Sequence, residues 1–439
     1  MESVPGGPWA RVVGRLSHSR RGALTILGGT AGGQALALVT APILSRLYSP
    51  SNFGLFTVLA SVVSVVGTVS ALRFELAVPL PEKERDAHGL VALGLASTGL
   101  TFLLASGIVA LVGNQVATAF RQPELMPWLW AVPVTSMVMG AYLVLNQLAI
   151  RHRRYGAIGR RNLLQSVAMV VTQLVAGLAG LKAGGLIAGL GVGQATSAIS
   201  LVAGSGLRSA EAREGRQRSR LRQMAGRYRR FPLVLAPSGL LNVTGLQLPV
   251  VLIAYWYGSS VAGWMGLTQR VLSLPVMLIG TAIAQVYLGE LARAARDDLA
   301  RARHLFRSAS KRLFMIAIAA AVVVTAFSPL LFGLVFGAQW KTSGQYAQAL
   351  ALSLAAQLLA VPVSQTLIVF ERQMLQLAWD AGRLVLITGA VGACYLLGGS
   401  ALTAVWAYGV SSAVAYSISW VLSLQTVRRT TQHAAPASD

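Results

Sequence analysis

Twelve long apolar stretches run through this chain, and they constrain its fold more than any other feature. They lie near 22–45, 54–80, 89–113, 128–150, 163–181, 184–203, 231–255, 260–288, 313–337, 343–370, 377–397 and 401–424. A helix that crosses a bilayer needs about 20 mostly apolar residues, and each stretch meets that length. In hydrocarbon every backbone N–H and C=O must be met within the chain, so spans of this kind fold as helices. The longer ones are expected to tilt or to end in the interface. The class implied is an all-α integral membrane protein with about 12 transmembrane helices. The first stretch follows Arg11, Arg15, Arg20 and Arg21, as a signal peptide would. Its apolar run is too long for one, and it reads as an uncleaved first helix.

Composition supports the membrane reading. Charged residues make up 12% of the 439 residues, where a soluble domain carries about 25%. Lysine and arginine number 37 against 14 acidic residues, a net charge of +23. With the N-terminus inside, 30 of the 37 basic residues fall in cytoplasmic segments, four outside (Arg46, Arg121, Lys182 and Lys341) and three within spans. That asymmetry is the positive-inside signature. It places both termini in the cytoplasm.

The longest loop, 204–230, holds nine arginines and divides the spans six and six. Two halves of even span number share one orientation, as in parallel-repeat transporters. The expected organisation is an N-terminal six-helix lobe at 1–207, a basic cytoplasmic linker at 208–230, a C-terminal six-helix lobe at 231–427 and a cytoplasmic tail at 428–439. The two parallel-related bundles would enclose a central cavity. An internal echo agrees: Pro42 leads Tyr48 by six residues and Gly54 follows, while Pro249 leads Tyr255 by six and Gly263 follows.

Several chemistries are excluded or disfavoured. The one cysteine, Cys394, precludes an intramolecular disulfide and a four-cysteine zinc site. The five histidines (18, 88, 152, 304 and 433) fall in expected cytoplasmic segments without metal-ligand spacing. No phosphate-cradling G-x-x-x-x-G-K-[ST] loop is present, so no cofactor, metal or intrinsic ATPase is expected. The glycines at 28, 29, 32 and 33, and at 185, 189 and 193, lie inside spans, where small residues let another helix approach. The arginines of 204–230 have one aromatic among them, Tyr228. They suit anionic lipid head groups better than nucleic acid, which needs stacking platforms.

Charge inside the spans is the functional clue, because each ionisable group there costs about 2.5–3.5 kcal/mol on insertion scales. Arg270 sits deepest, about ten residues into the eighth span. Arg73 and Arg383 are shallower, within snorkelling reach. Asp380 is three residues before Arg383, on one helical face, and is expected to pair with it. Glu75 is two residues from Arg73 and, on a helix, would face elsewhere. Pro237, Pro249, Pro275 and Pro362 interrupt spans and are hinge candidates.

The stretch Ser45-Arg-Leu-Tyr-Ser-Pro-Ser-Asn-Phe-Gly54 resembles the Wzx-type O-antigen and polysaccharide flippases. These belong to the multidrug/oligosaccharidyl-lipid/polysaccharide (MOP) exporter superfamily. Leu72-Arg-Phe-Glu-Leu-Ala-Val-Pro-Leu-Pro81, Gly266-Leu-Thr-Gln-Arg-Val-Leu-Ser-Leu-Pro275 and Ile283-Ala-Gln-Val-Tyr287 are similar to further stretches of that family, in the same order. The resemblance covers almost the whole chain. It implies a MATE-like fold and a cargo of undecaprenyl-diphosphate-linked oligosaccharide, flipped across the bacterial inner membrane by alternating access. Glycan polymerase and ligase machinery would be its partners. Arg270, Arg73, Arg383 and Arg46 become the candidate cations for the diphosphate, and Glu75 and Asp380 the candidate coupling carboxylates. A cation-coupled MATE-type multidrug antiporter would share the fold, but the first span carries no Asp or Glu. A membrane glycan polymerase would need a large outside loop, and the outside loops here are short.

Overall fold

The computed structural model describes residues 8–433 apart from Glu124 and Asp298. The outer end of the expected tail, 434–439, and the first seven residues lie outside the described residues. Twelve helices of 20 residues or more correspond one-to-one with the twelve apolar stretches. They are α1 (Pro8–Leu47), α2 (Pro50–Val69), α3 (Glu84–Ala119), α4 (Ala131–Arg151), α5 (Tyr155–Leu178) and α6 (Lys182–Val202). The second six are α7 (Ala236–Tyr257), α8 (Ser259–Asp297), α9 (Leu299–Phe336), α10 (Lys341–Val363), α11 (Gln373–Leu396) and α12 (Ala401–His433). Among the described residues, ten of these segments are long and apolar enough to cross a membrane. The other two are α1 and α5. Arg160, Arg161 and Asn162 on the second turn of α5 dilute its apolar run. Rows of exposed leucines and valines, such as Leu111 at 79% and Leu396 at 84%, suit hydrocarbon as solvent and would be a liability in water.

The chain forms two compact units. The first holds residues 1–40, 62–118 and 122–240; the second holds 41–61, 119–121 and 241–439. The units therefore do not follow the two sequence halves: the C-terminal end of α1 and the start of α2 belong with the second.

In the first unit, glycines set the helix spacing. Gly29 of α1 lies against the Gly159 backbone of α5, and Gly33 against Ser166 and Asn162. Gly189 and Gly193 of α6 receive Gln173, Met169 and Gln165 of α5. This is the close helix approach expected of small residues in membranes. The segment 208–230, expected as a linker, folds into two short helices, Ala210–Gly215 and Arg218–Arg227. Ser209 caps the first by accepting from the Ala212 N–H. Met224 and Tyr228 bury themselves in a core with Phe74, Leu90, Val144 and Leu148. Arg220 pairs with Asp86 at 2.6 Å.

In the second unit, the expected cytoplasmic loop at 289–312 is a helical hairpin. The ends of α8 and α9 continue past the bilayer stretch and bury Leu291, Ala294, Ala302 and Phe306 in a common core. The sequence echo also takes physical form here. A Cβ on Gly54 would strike the carbonyl of Ser259, and a Cβ on Gly263 would strike the carbonyl of Pro50. Each glycine thus meets the residue four before the other, so α2 and α8 cross with local two-fold character. The hydroxyls of Ser51 and Ser259, 2.8 Å apart, join the crossing.

The prolines divide by position. Pro249 and Pro275 are inside α7 and α8. Pro362 stands in the last turn of α10, which breaks at Ser364 before a short helix, Gln365–Val369. Pro237 is the second residue of α7, directly after a π-helical turn, Phe231–Leu235, and so lies inside the continuous helical run from Phe231 to Tyr257. Pro329 inside α9 was not singled out from sequence; Gly344 of α10 packs directly on it.

Candidate functional site

The second apolar stretch does not continue as one helix to residue 80. The helix α2 ends at Val69, and Leu72 and Arg73 take left-handed φ values of 50° and 60°. A 3-10 turn, Phe74–Ala77, follows. The carbonyl of Ser70, freed by the break, accepts from the Thr101 hydroxyl of α3 at 3.0 Å. This corrects the expectation that Arg73 and Glu75 face apart. Helical spacing would set the two apart; with Arg73 left-handed, its guanidinium turns back to Glu75 at 3.6 Å. Glu75 is 2% exposed. Neither of its oxygens has a hydrogen-bond partner among the described residues, and neither does Nε of Arg73. The guanidinium also rests on the backbone of Gly239 at the start of α7, where any larger residue would displace it.

The first unit holds a second cation that sequence reasoning assigned to the cytoplasmic 151–162 loop. Because α5 begins at Tyr155, Arg161 is helical and 8% exposed. Its guanidinium lies over the Tyr142 ring of α4, 4.8 Å from the centroid. One nitrogen donates to the side-chain oxygen of Asn162, whose amide nitrogen in turn donates to the Thr30 hydroxyl of α1 at 2.7 Å. Its Nε and Nη1 have no hydrogen-bond partner among the described residues, and no carboxylate pairs with it among them. A signal for it existed: no proline interrupts the chain between Tyr155 and the fifth apolar stretch, so the helix was free to start early.

In the second unit Asp380 and Arg383 of α11 pair at 3.2 Å, one helical turn apart. The pair is enclosed. Asn242 donates to the Asp380 carboxylate at 2.8 Å, and its own carbonyl accepts from Arg383 at 3.3 Å. Arg383 stacks on Trp379 at 4.7 Å and donates to the Tyr416 hydroxyl at 3.4 Å. Its partners come from α7, α11 and α12. Arg270, on α8, follows Ser259 by eleven residues, roughly 16 Å along the helix at 1.5 Å per residue. Its carbonyl accepts from Ser273 at 3.1 Å. Arg46 is exposed in the last turn of α1. Beside it, Ser45 is fully buried and its carbonyl accepts from the Trp340 indole and the Gln339 amide, each at 2.9 Å. The candidate cations thus separate: Arg73 belongs to the first unit, and Arg46, Arg270 and Arg383 to the second.

The basic segment presents Arg208, Arg213, Arg216, Arg218, Arg222, Arg227, Arg229 and Arg230 to solvent. Tyr228, its one aromatic, is 8% exposed and offers no stacking face. His88 is buried at the start of the second turn of α3 instead of lying in a loop.

Ten helices long and apolar enough to cross a membrane among the described residues define a multi-pass membrane protein, and solved structures agree on the fold. An inward-facing multidrug resistance MATE family transporter of the MOP superfamily superposes with a TM-score of 0.64 at 14% identity, covering 94% of this chain and 96% of that one. A MOP superfamily transporter from Pyrococcus furiosus, described as having a binding pocket of reversed polarity, gives 0.58 at 14% identity over 94% and 96%. Within that fold, residues 43–345 match the model of the family described as polysaccharide biosynthesis protein, and the chain belongs to it. A curated relative, the succinoglycan biosynthesis transport protein ExoT of Rhizobium meliloti (strain 1021), is 25% identical over 407 residues, 88% of this chain and 76% of the relative. The MOP-type fold and the polysaccharide family drawn from the sequence motifs therefore stand.

Proposed function

We propose that the protein flips an undecaprenyl-diphosphate-linked oligosaccharide, an O-antigen or exopolysaccharide repeat unit, across the bacterial inner membrane by alternating access. The observation that carries this reading is Arg161. It is buried in a polysaccharide-family transporter, and no carboxylate neutralises it among the described residues. A guanidinium in that setting favours an anionic cargo group, and its fork matches phosphate oxygens in pairs. Arg270 and Arg73 supply further charge along the path, with Arg46 at the outer end of α1. Of the two carboxylates, Asp380 is neutralised by Arg383 and Asn242. Coupling to a driving ion therefore falls to Glu75, whose oxygens make the long contact to Arg73 and no side-chain hydrogen bond among the described residues. The exposed arginines of 208–230 hold anionic lipid head groups at the cytoplasmic face. Polymerase and ligase machinery takes the flipped product, and no step hydrolyses ATP.

Glycan-lipid analysis of a deletion strain tests the reading. Undecaprenyl-linked repeat units should accumulate on the cytoplasmic side; unchanged glycans with altered drug tolerance would replace the flippase by the antiporter. At residue level, Arg270→Ala should abolish glycan export at near-normal abundance in the membrane. Arg270→Lys should restore part of it, because the charge remains and the fork is lost. Full export by Arg270→Ala would remove that residue from the path.

A further inference from the structure

The second unit contains a cleft of about 250 Å³ between α7, α8, α10 and α12. Its polar lining is Gln247, Gln269, Ser273, Ser353, Gln357 and Tyr408. No charged side chain lines it; the rest of the wall is leucine and valine, including Leu272 and Leu354. Three amides and three hydroxyls inside one membrane-spanning unit need a physical reason, because polar groups at that depth are costly when unmet.

The groups meet one another only in part. Gln269 donates to the Tyr408 hydroxyl at 3.3 Å, Gln357 donates to Ser353 at 2.9 Å, and Ser61 donates to the Gln247 oxygen at 3.2 Å. Left over among the described residues are the Gln247 amide nitrogen and the side-chain oxygens of Gln269 and Gln357. The remainder is one kind of donor set beside one kind of acceptor set, with apolar patches between. An ion would need opposite charge, and the wall has none. A lipid chain would need no amides. A ring bearing hydroxyls that both give and accept, with apolar C–H faces, matches each part of the wall. The volume equals roughly eight liquid waters at about 30 Å³ each. It falls just under the range of about 300–1,000 Å³ for whole small-ligand pockets, so it takes one unit of a larger cargo.

We propose that this cleft is a subsite for an uncharged sugar unit, read by Gln247, Gln269 and Gln357. The proposal rests on the reading of the protein as a glycan-lipid flippase. It adds a neutral recognition element in the second unit to the cationic groups that meet the diphosphate.

The test uses the full-length protein in nanodiscs, with Cys394→Ser and Ser273→Cys so that the cleft carries the sole thiol. The rate of maleimide labelling is measured with three probes: undecaprenyl diphosphate, the same lipid bearing the host's repeat-unit oligosaccharide, and that oligosaccharide released from lipid. Both sugar-bearing probes should slow labelling, and undecaprenyl diphosphate should not. Gln247→Leu or Gln269→Leu should weaken the sugar-bearing probes roughly threefold to tenfold, the value of one hydrogen bond, with undecaprenyl diphosphate binding unchanged. Equal protection by the sugar-free lipid, or no protection by either saccharide probe, would overturn the subsite. Failure of the flippase reading looks different: the released oligosaccharide would still protect, while undecaprenyl diphosphate would bind equally to wild type and Arg270→Ala.

Discussion

Removing Arg383 should damage the fold before it damages transport. The guanidinium is 4% exposed and holds Asp380 at 3.2 Å, the Asn242 carbonyl at 3.3 Å and the Trp379 ring at 4.7 Å. In Arg383→Ala the Asp380 carboxylate stays buried with one donor, Asn242. Breaking a buried pair from one side costs about 3–5 kcal/mol, because an uncompensated charge remains. The lost stacking on Trp379 and Tyr416 adds up to about 2 kcal/mol. Charge, more than contact, should dominate. The double variant Asp380→Asn/Arg383→Gln leaves no orphan charge and should be more stable than Arg383→Ala. Arg383→Lys should fall between wild type and Arg383→Ala. Thermal unfolding of purified protein in detergent, with membrane abundance alongside, gives the ranking. A double-mutant cycle over Asp380 and Arg383 should return a coupling of at least about 1 kcal/mol. Wild-type melting and abundance for Arg383→Ala, together with lost export, would refute the reasoning and make Arg383 a cargo ligand.

Arg161 predicts the opposite pattern. Since no carboxylate among the described residues would be orphaned, Arg161→Met should keep or raise melting temperature while export falls; a clear loss of stability would show a structural partner. At the α2–α8 crossing, Gly54→Ala should destabilise by about 1–3 kcal/mol through overpacking. Gly389→Ala, exposed on α11 with open space at the Cβ position, should gain up to about 1 kcal/mol of helix propensity; equal melting temperatures for the two would dismiss the tight crossing. In a Cys394→Ser background, a cysteine at exposed Ser219 should label only from the cytoplasm, and one at exposed Ser400 only from outside. Labelling of both from one side would break the twelve-span orientation.

The fold was legible because the strongest term, hydrocarbon against backbone polarity, writes itself as span length. Each of the twelve stretches contains one long helix, and glycines such as Gly29, Gly33, Gly189 and Gly193 mark close approaches. What hid was local backbone choice. Nothing in Leu72-Arg73 announces a left-handed turn: neither residue is glycine, and the cost is met by Thr101 and by the pairing with Glu75. The 289–312 segment read as a loop because its charges mask a period that buries Ala302 and Phe306. Arg161 read as a loop cation because a charge count treats arginines near a span as topology alone. The Asp380–Arg383 pair was readable because its spacing on one helix fixes its geometry.

The separation of charge in the two units bears on how such a protein would grip its cargo. The second unit has largely settled its clearest buried charge internally: Arg383, apart from its Nε, is engaged by Asp380, Asn242, Trp379 and Tyr416. Its cleft of amides and hydroxyls is neutral. The first unit has not settled its own. Arg161 has two guanidinium nitrogens without partners among the described residues, and Glu75 has two oxygens in the same condition. Unmet groups at that burial cost free energy at rest, about 1–3 kcal/mol for each buried polar group and more for charged ones. Such a cost persists in a structure when another state, with ligand or proton bound, recovers it. A diphosphate arriving at Arg161 and a proton arriving at Glu75 would both do so. On the flippase reading proposed above, Arg161 and Glu75 of the first unit would meet cargo charge and driving ion, Arg270 of the second unit would share the diphosphate, and the neutral cleft of the second unit would read the uncharged sugar.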